Sequence, residues 1–111
     1  MKGRLLWIEG KRSDNPDFVT ALRKRGIQVE SVSSGNEALL RLPEYNPDMV
    51  VVYAATLRSS GKRICRSIQK YSPRIGILVI ADGSQPVLED DCVNAVLILP
   101  FTARKLISRI E

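Results

Sequence analysis

The residues best placed to do chemistry in this chain stand at the end of one apolar run. Pro47-Asp48 turns into Met49-Val50-Val51-Val52-Tyr53-Ala54-Ala55, a stretch of β-branched residues without polar alternation. Such a run reads as a parallel strand buried on both faces, with Tyr53 at its C-terminal end. In an open α/β sheet, ligands and reacting groups collect at that end. A phenol has an ordinary pKa of about 10, so at neutral pH it is a poor nucleophile and a poor ligand for a hard cation. Three uses stay open for Tyr53: filling a pocket with its ring, accepting a phosphate from a tyrosine kinase, or touching a ligand. Lys11, Arg12, Arg58 and Lys62 fall on loops or a helix start at the same end, where a helix N-terminus favours anions.

Other chemistries find little support. The chain has no histidine, and its two cysteines, Cys65 and Cys92, are too far apart in sequence for a metal or redox motif. Both are expected as buried or half-buried free thiols. There is no nucleophile elbow, no phosphate-binding glycine loop and no pair of carboxylates at one strand end. An enzyme is not expected, and neither is a bound cofactor or metal. The formal charge of +5 would suit an acidic partner such as nucleic acid. However, the 17 basic residues are spread along the chain and aromatics make up only 5%, a pattern of a solvated surface rather than a binding groove. No apolar run reaches the roughly 18 residues of a membrane span, and Met1-Lys2-Gly3 leads straight into strand-like sequence rather than a signal peptide. A cytoplasmic protein with one domain over residues 1–111 is expected.

The elements that must position Tyr53 follow from periodicity. Leu5-Leu6-Trp7-Ile8 is long enough for a buried strand and too short for a helix. Asp14 or Asn15 before Pro16 predicts a helix start, Phe18, Ala21 and Leu22 its inner face, and Gly26 its stop. Ile27, Val29 and Val32 alternate with polar residues, as on a strand nearer a sheet edge. Ser34-Gly35-Asn36-Glu37 is a capping box, with the serine accepting from the backbone three residues on and Glu37 reaching back. Ala38, Leu39 and Leu42 form the buried stripe of the second helix, and Pro43 marks its frayed end. After Tyr53, residues 56–61 predict a loop. The third helix then turns Ile64, Cys65, Ile68 and Tyr71 inward and Arg63, Arg66 and Lys70 outward. Ile75 to Ile80 is a fourth buried strand. From Asp82 to Asp91 the pattern fails, leaving at most about one helical turn and the acidic cluster Glu89-Asp90-Asp91. Val93 to Ile98 gives a fifth strand, and Pro100-Phe101-Thr102 opens a last helix with Ala103, Leu106, Ile107 and Ile110 inward. Regular strand–helix alternation demands parallel neighbours joined by right-handed crossovers. The expected fold is α/β: a flavodoxin-like, doubly wound five-stranded parallel sheet of order 2-1-3-4-5. Helices cover both faces, and the fourth helix is shortened or missing.

At this point the chain resembles a family: the chemotaxis-type receiver domain of bacterial two-component response regulators. The likeness covers essentially the whole chain. It rests on Asn46-Pro47-Asp48 before the strand, Gly61 opening the third helix, Ser34-Gly35-Asn36-Glu37-Ala38-Leu39 on the second, and Pro100-Phe101 after strand five. The resemblance implies an aspartate at the end of strand three that carries a phosphate. It also implies Mg²⁺ held by that aspartate and by acidic residues after strand one, a hydroxyl residue ending strand four, and a lysine before the proline after strand five. Carboxylate oxygens suit the hard cation, and an ammonium pairs with phosphoryl oxygens. This sequence departs at nearly every such position. Tyr53 stands for the phosphoacceptor, Ala81 for the hydroxyl residue and Leu99 for the lysine, while Glu9 is followed by Gly10 where a second acid belongs. The aromatic switch position of strand five is Val96. The resemblance therefore implies a pseudo-receiver with a degenerate phosphorylation site at Glu9, Gly10, Tyr53, Ala81 and Leu99, without Mg²⁺.

The function expected from this is a phosphorylation-independent signalling domain. It would dimerise or dock on a protein partner and regulate an attached DNA-binding domain downstream, so that DNA is met only through that domain. In the family, dimers form across helix four, strand five and helix five. Here Glu89, Asp90 and Asp91 would meet Arg104, Lys105 and Arg109 of a twofold-related copy. The alternatives are a stand-alone adaptor, or a sensor of small anions or other ligands at the end of the sheet where Lys11, Arg12, Arg58 and Lys62 gather.

Overall fold

Apolar residues on both faces of a strand can be covered only from two sides, and the chain meets that demand with one sheet between two helical layers. The computed structural model describes residues 3–10, 18–57, 61–81, 92–99 and 101–110. Its elements run β1 (Arg4–Glu9), α1 (Phe18–Lys24), β2 (Gln28–Val32), α2 (Gly35–Tyr45), β3 (Met49–Tyr53), α3 (Lys62–Tyr71), β4 (Gly76–Ala81), β5 (Ala95–Ile98) and α4 (Ala103–Ile110). All pairings are parallel, and the strand order is β2-β1-β3-β4-β5, the doubly wound order expected. β3 lies at the centre, with Val51 beside Trp7 on one side and Leu78 on the other.

Strand parity sorts the core into two halves. Leu5, Trp7, Val51 and Tyr53 point to the layer formed by α1 and α4, whereas Leu6, Ile8, Val50 and Val52 point to α2 and α3. From Val50 to Tyr53 every residue is fully buried. At roughly 1.5–3 kcal/mol for each buried aliphatic side chain, this short strand contributes more per residue than the polar-interleaved β2 at the edge.

The helix ends follow local chemistry. α1 closes in a Schellman motif, with Gly26 at φ +86°, its N–H bonded to Arg23 O (3.0 Å) and Ile27 N–H bonded to Leu22 O (3.3 Å). Ser34 caps α2 by accepting from the Glu37 N–H at 3.1 Å. Glu37, however, reaches one residue further back than a capping box requires, accepting from the Ser33 hydroxyl (2.8 Å) and N–H (3.3 Å). α2 also runs through Pro43 to Tyr45 rather than fraying there. A proline near the last turn removes only one intrahelical bond, and Tyr45 is anchored beyond it by its hydroxyl on Gln28 O at 3.0 Å. Asn46 then turns left-handed at φ 52°, and Asp48 ties back to Arg4 through both its N–H and its carboxylate.

Tyr71 departs from its expected inward place and is 52% exposed; within α3 full burial is confined to Cys65 and Ile68. Several expectations lie outside the described residues: the start of the first helix at Asp14 to Pro16, the shortened fourth helix and acidic cluster at 82–91, and Pro100. Among the described residues no helix is long and apolar enough to cross a membrane.

Candidate functional site

The C-terminal ends of β1, β3 and β4 lie side by side. Glu9 pairs with Tyr53, Tyr53 with Ile80, and Ala81 with Ile98; Leu99 follows β5 and donates its N–H to Ala81 O at 2.8 Å. Glu9, Gly10, Tyr53, Ala81 and Leu99, widely separated in sequence, are thus gathered at one edge of the sheet. What each side chain does there is set by parity and by contacts that the sequence did not reveal.

Tyr53 shares the parity of Val51, so its ring turns away from the strand end into the α1–α4 layer, where it is wholly buried. It meets Trp7 edge-on, with centroids 5.9 Å apart at 79°, and lies 6.2 Å from Phe18. Phe18 in turn stacks on Phe101 at 5.1 Å and 15°. Such offset or edge-on pairs add about 0.5–1.5 kcal/mol each beyond the area they bury. The ring is therefore part of the core. Trp7 and Phe101 belong to the same cluster; their matching strand parity and their position just before the last helix were the available signals.

Glu9 is half-buried, and its Oε1 accepts the indole N–H of Trp7 at 2.8 Å. A fully buried indole needs an acceptor, and this carboxylate supplies it. Gly10 donates its N–H to Thr56 Oγ1 (2.7 Å), and the same hydroxyl donates to Tyr53 O (2.7 Å). Thr56 ends a single 3-10 turn, Ala54–Thr56, that follows β3 directly. A Cβ on residue 10 would lie 2.2 Å from Thr56 O, so the close approach of this turn excludes any side chain there. The sequence reading placed Thr56 in a plain loop; the bridge it makes between β1 and β3 was not foreseen. Gly61, left-handed at φ +83° and with its Cβ direction facing Val52, starts α3.

Ala81 is buried, and Leu99 is half-buried against the α1–α4 half of the core. Val96 is half-buried and packs on the opposite half, with α2 and α3. Cys65 and Cys92 are both buried, and neither forms a disulfide. Lys62 is exposed at the start of α3, and Arg104, Lys105 and Arg109 are exposed on α4. Their expected counterparts Glu89, Asp90 and Asp91, and the cations Lys11, Arg12 and Arg58, lie outside the described residues.

A Mg²⁺ site needs several oxygen donors in octahedral array, usually with more than one carboxylate. Among the described residues no three His, Cys, Asp or Glu side chains cluster. Glu9 is the one carboxylate at the described strand ends, it is engaged by Trp7, and a neighbour at position 10 is sterically barred. These donors do not fit the ion. A cluster of interacting charged groups sits on the β2–α2 flank. Arg41, hydrogen-bonded to Glu30, holds that carboxyl below its usual range, and Arg41 is raised in return. Burial, then Glu30, pushes the Tyr45 phenol up.

No family profile matches the chain. Solved structures do. A CheY-like response regulator receiver domain protein from Methanospirillum hungatei superposes with TM-score 0.82 at 16% identity, over 99% of this chain and 91% of that one. A response regulator signal receiver domain from Bermanella marisrubri gives 0.76 at 20% identity, over 96% and 93%. NtrX from Brucella abortus, in complex with ADP, gives 0.84 at 16% identity, over 99% of this chain but only 25% of NtrX. At these identities the shared property is the fold: this chain has the flavodoxin-like fold of response regulator receiver domains.

Proposed function

We propose that the chain is a receiver-like signalling module that works without phosphorylation. The observation that carries this reading is the state of the strand ends. The residue at the end of β3 is a tyrosine with its ring in the core, and Gly10 is pressed against Thr56 where a second acid would have to stand. A receiver fold that keeps its sheet and both helical layers while lacking an acceptor carboxylate, a hydroxyl at Ala81 and a lysine at Leu99 retains surfaces rather than chemistry. Its output is then association: a homodimer or a protein partner, acting on an attached DNA-binding domain. The quarter-length match to NtrX supports an attached domain, because there the same fold is one part of a longer chain. The second reading is a stand-alone adaptor, in keeping with the receiver domain protein of which this chain covers 91%. The complete reading frame of the gene separates the two.

Titration with beryllofluoride and Mg²⁺, followed by backbone amide NMR, tests the main claim. Unchanged amide shifts for Glu9, Tyr53 and Ala81 are expected. Saturable shifts at those residues would contradict it.

A further inference from the structure

The cations of this chain are spread along it, but its acids are not. Of 17 basic and 12 acidic residues, the stretch from Met49 to Ala81 holds six basic ones, Arg58, Lys62, Arg63, Arg66, Lys70 and Arg74, and no acid. The rest of the chain sets 11 cations against all 12 acids. The excess positive charge of the molecule therefore resides in α3 and its flanks.

The packing of α3 decides where that charge points. Cys65 and Ile68 are fully buried in the core half beneath α2 and α3. At about 100° per residue, Arg63, Arg66 and Lys70 then fall within a sector of about 60° on the opposite side of the helix, spanning about 10 Å along its axis. All three are exposed, as is Arg74 just past the helix end. The neighbouring helix α2 approaches α3 closely at Gly35, where a Cβ would lie 2.5 Å from Ile64 Cγ1. Its acids are engaged elsewhere: Glu37 accepts from Ser33, and Glu44 pairs with Arg41.

A partner for this face must be held by charge alone. No apolar side chain lies in the sector, whereas a protein interface has a core depleted of charge. An anionic membrane takes up such a helix by its apolar side, and here that side is packed into the core. Single-strand binders stack successive bases on aromatic rings, and α3 offers one exposed ring, Tyr71, at the flank of the sector. A duplex asks for neither insertion nor stacking: its phosphates stand in fixed rows, and cations bind them by releasing counterions. We propose that the outward face of α3, through Arg63, Arg66, Lys70 and Arg74, docks on the phosphate backbone of duplex DNA without reading its sequence. This goes beyond the reading above, in which DNA is met through an attached domain, and it does not depend on dimerisation.

Fluorescence anisotropy of a labelled DNA duplex of about 20 base pairs, titrated with the full chain at salt concentrations from about 50 to 200 mM, tests this. The expected result is binding in about the micromolar range that is indifferent to base sequence, with a slope of log affinity against log salt of about −3 to −4 for four phosphate contacts. Arg63→Glu and Lys70→Glu should each weaken binding about tenfold or more and flatten the slope by about one, with circular dichroism unchanged. Lys24→Glu makes the same charge change on α1, in the opposite helical layer, and should leave binding within about twofold. Equal weakening by all three variants would show attraction to net charge and overturn the assignment to α3. So would undiminished binding by both α3 variants, or no binding at the lowest salt. Tighter binding of a single strand of the same length, of anionic phospholipid vesicles or of polyglutamate would overturn the choice of partner. None of these failures touches the claim that the module works without phosphorylation.

Discussion

At the scale of single residues, the end of β3 shows how position and orientation part company. Tyr53 stands where the resemblance puts an acceptor, yet the two-residue period of a strand aims its ring at Trp7 and Phe18. Tyr53→Asp therefore sets a carboxylate among aromatic rings, where a charge without a partner is strongly disfavoured. The variant should lose about 3 kcal/mol or more of stability, read as a lower midpoint in urea unfolding. A variant as stable as the parent would show that the ring is not core. Gly10→Ala should cost about 1–3 kcal/mol, because its Cβ would meet Thr56 O at 2.2 Å and the turn would have to move. Thr56→Val removes the hydroxyl that joins Gly10 to Tyr53 O and should cost about 1–2 kcal/mol, whereas Thr56→Ser should retain most of the stability. A loss for serine with none for valine would mean that the methyl group, not the bridge, matters.

Elements were legible where burial alone decided them. Four of the five strands are built on short apolar runs, and β2 was recognisable as an edge strand from its interleaved polar residues. Illegible features depended on neighbours distant in sequence. Ala54-Ala55-Thr56 carries no turn signal, since the 3-10 turn is fixed by the hydroxyl bridge to Gly10. Tyr71 continues the apolar spacing of α3, yet as the last residue of the helix it is exposed. The β2–α2 flank yields predictions of its own. Ser34→Ala should cost about 1 kcal/mol through loss of the cap on Glu37 N–H. Glu30 has its pKa lowered on folding by Arg41, so the stability it adds is present above the unfolded glutamate range and is lost as pH falls through the lower folded value. Tyr45 has its pKa raised, so its contribution is complete below the unfolded tyrosine range and fades as pH rises through the folded value. Thermal melts should accordingly show an acid loss that Glu30→Gln flattens and an alkaline loss that Tyr45→Phe flattens.

For the whole molecule, the doubly wound sheet gathers Glu9, Gly10, Tyr53, Ala81 and Leu99 at one edge, as the alternation of strands and helices required. That the strand order brings those residues to one edge was readable from the sequence, and a ring that fills space was among the expectations for Tyr53; the Thr56 bridge between β1 and β3 and the place of the ring between Trp7 and Phe18 were not, because both are set by packing across strands. The most direct test of a receiver fold working without phosphoryl chemistry is intact-mass spectrometry after incubation with acetyl phosphate and Mg²⁺, on the wild type and on Tyr53→Asp. Neither protein is predicted to gain the mass of a phosphoryl group, since Gly10, Ala81 and Leu99 remain in the variant. Stoichiometric, Mg²⁺-dependent phosphorylation of either would contradict the account.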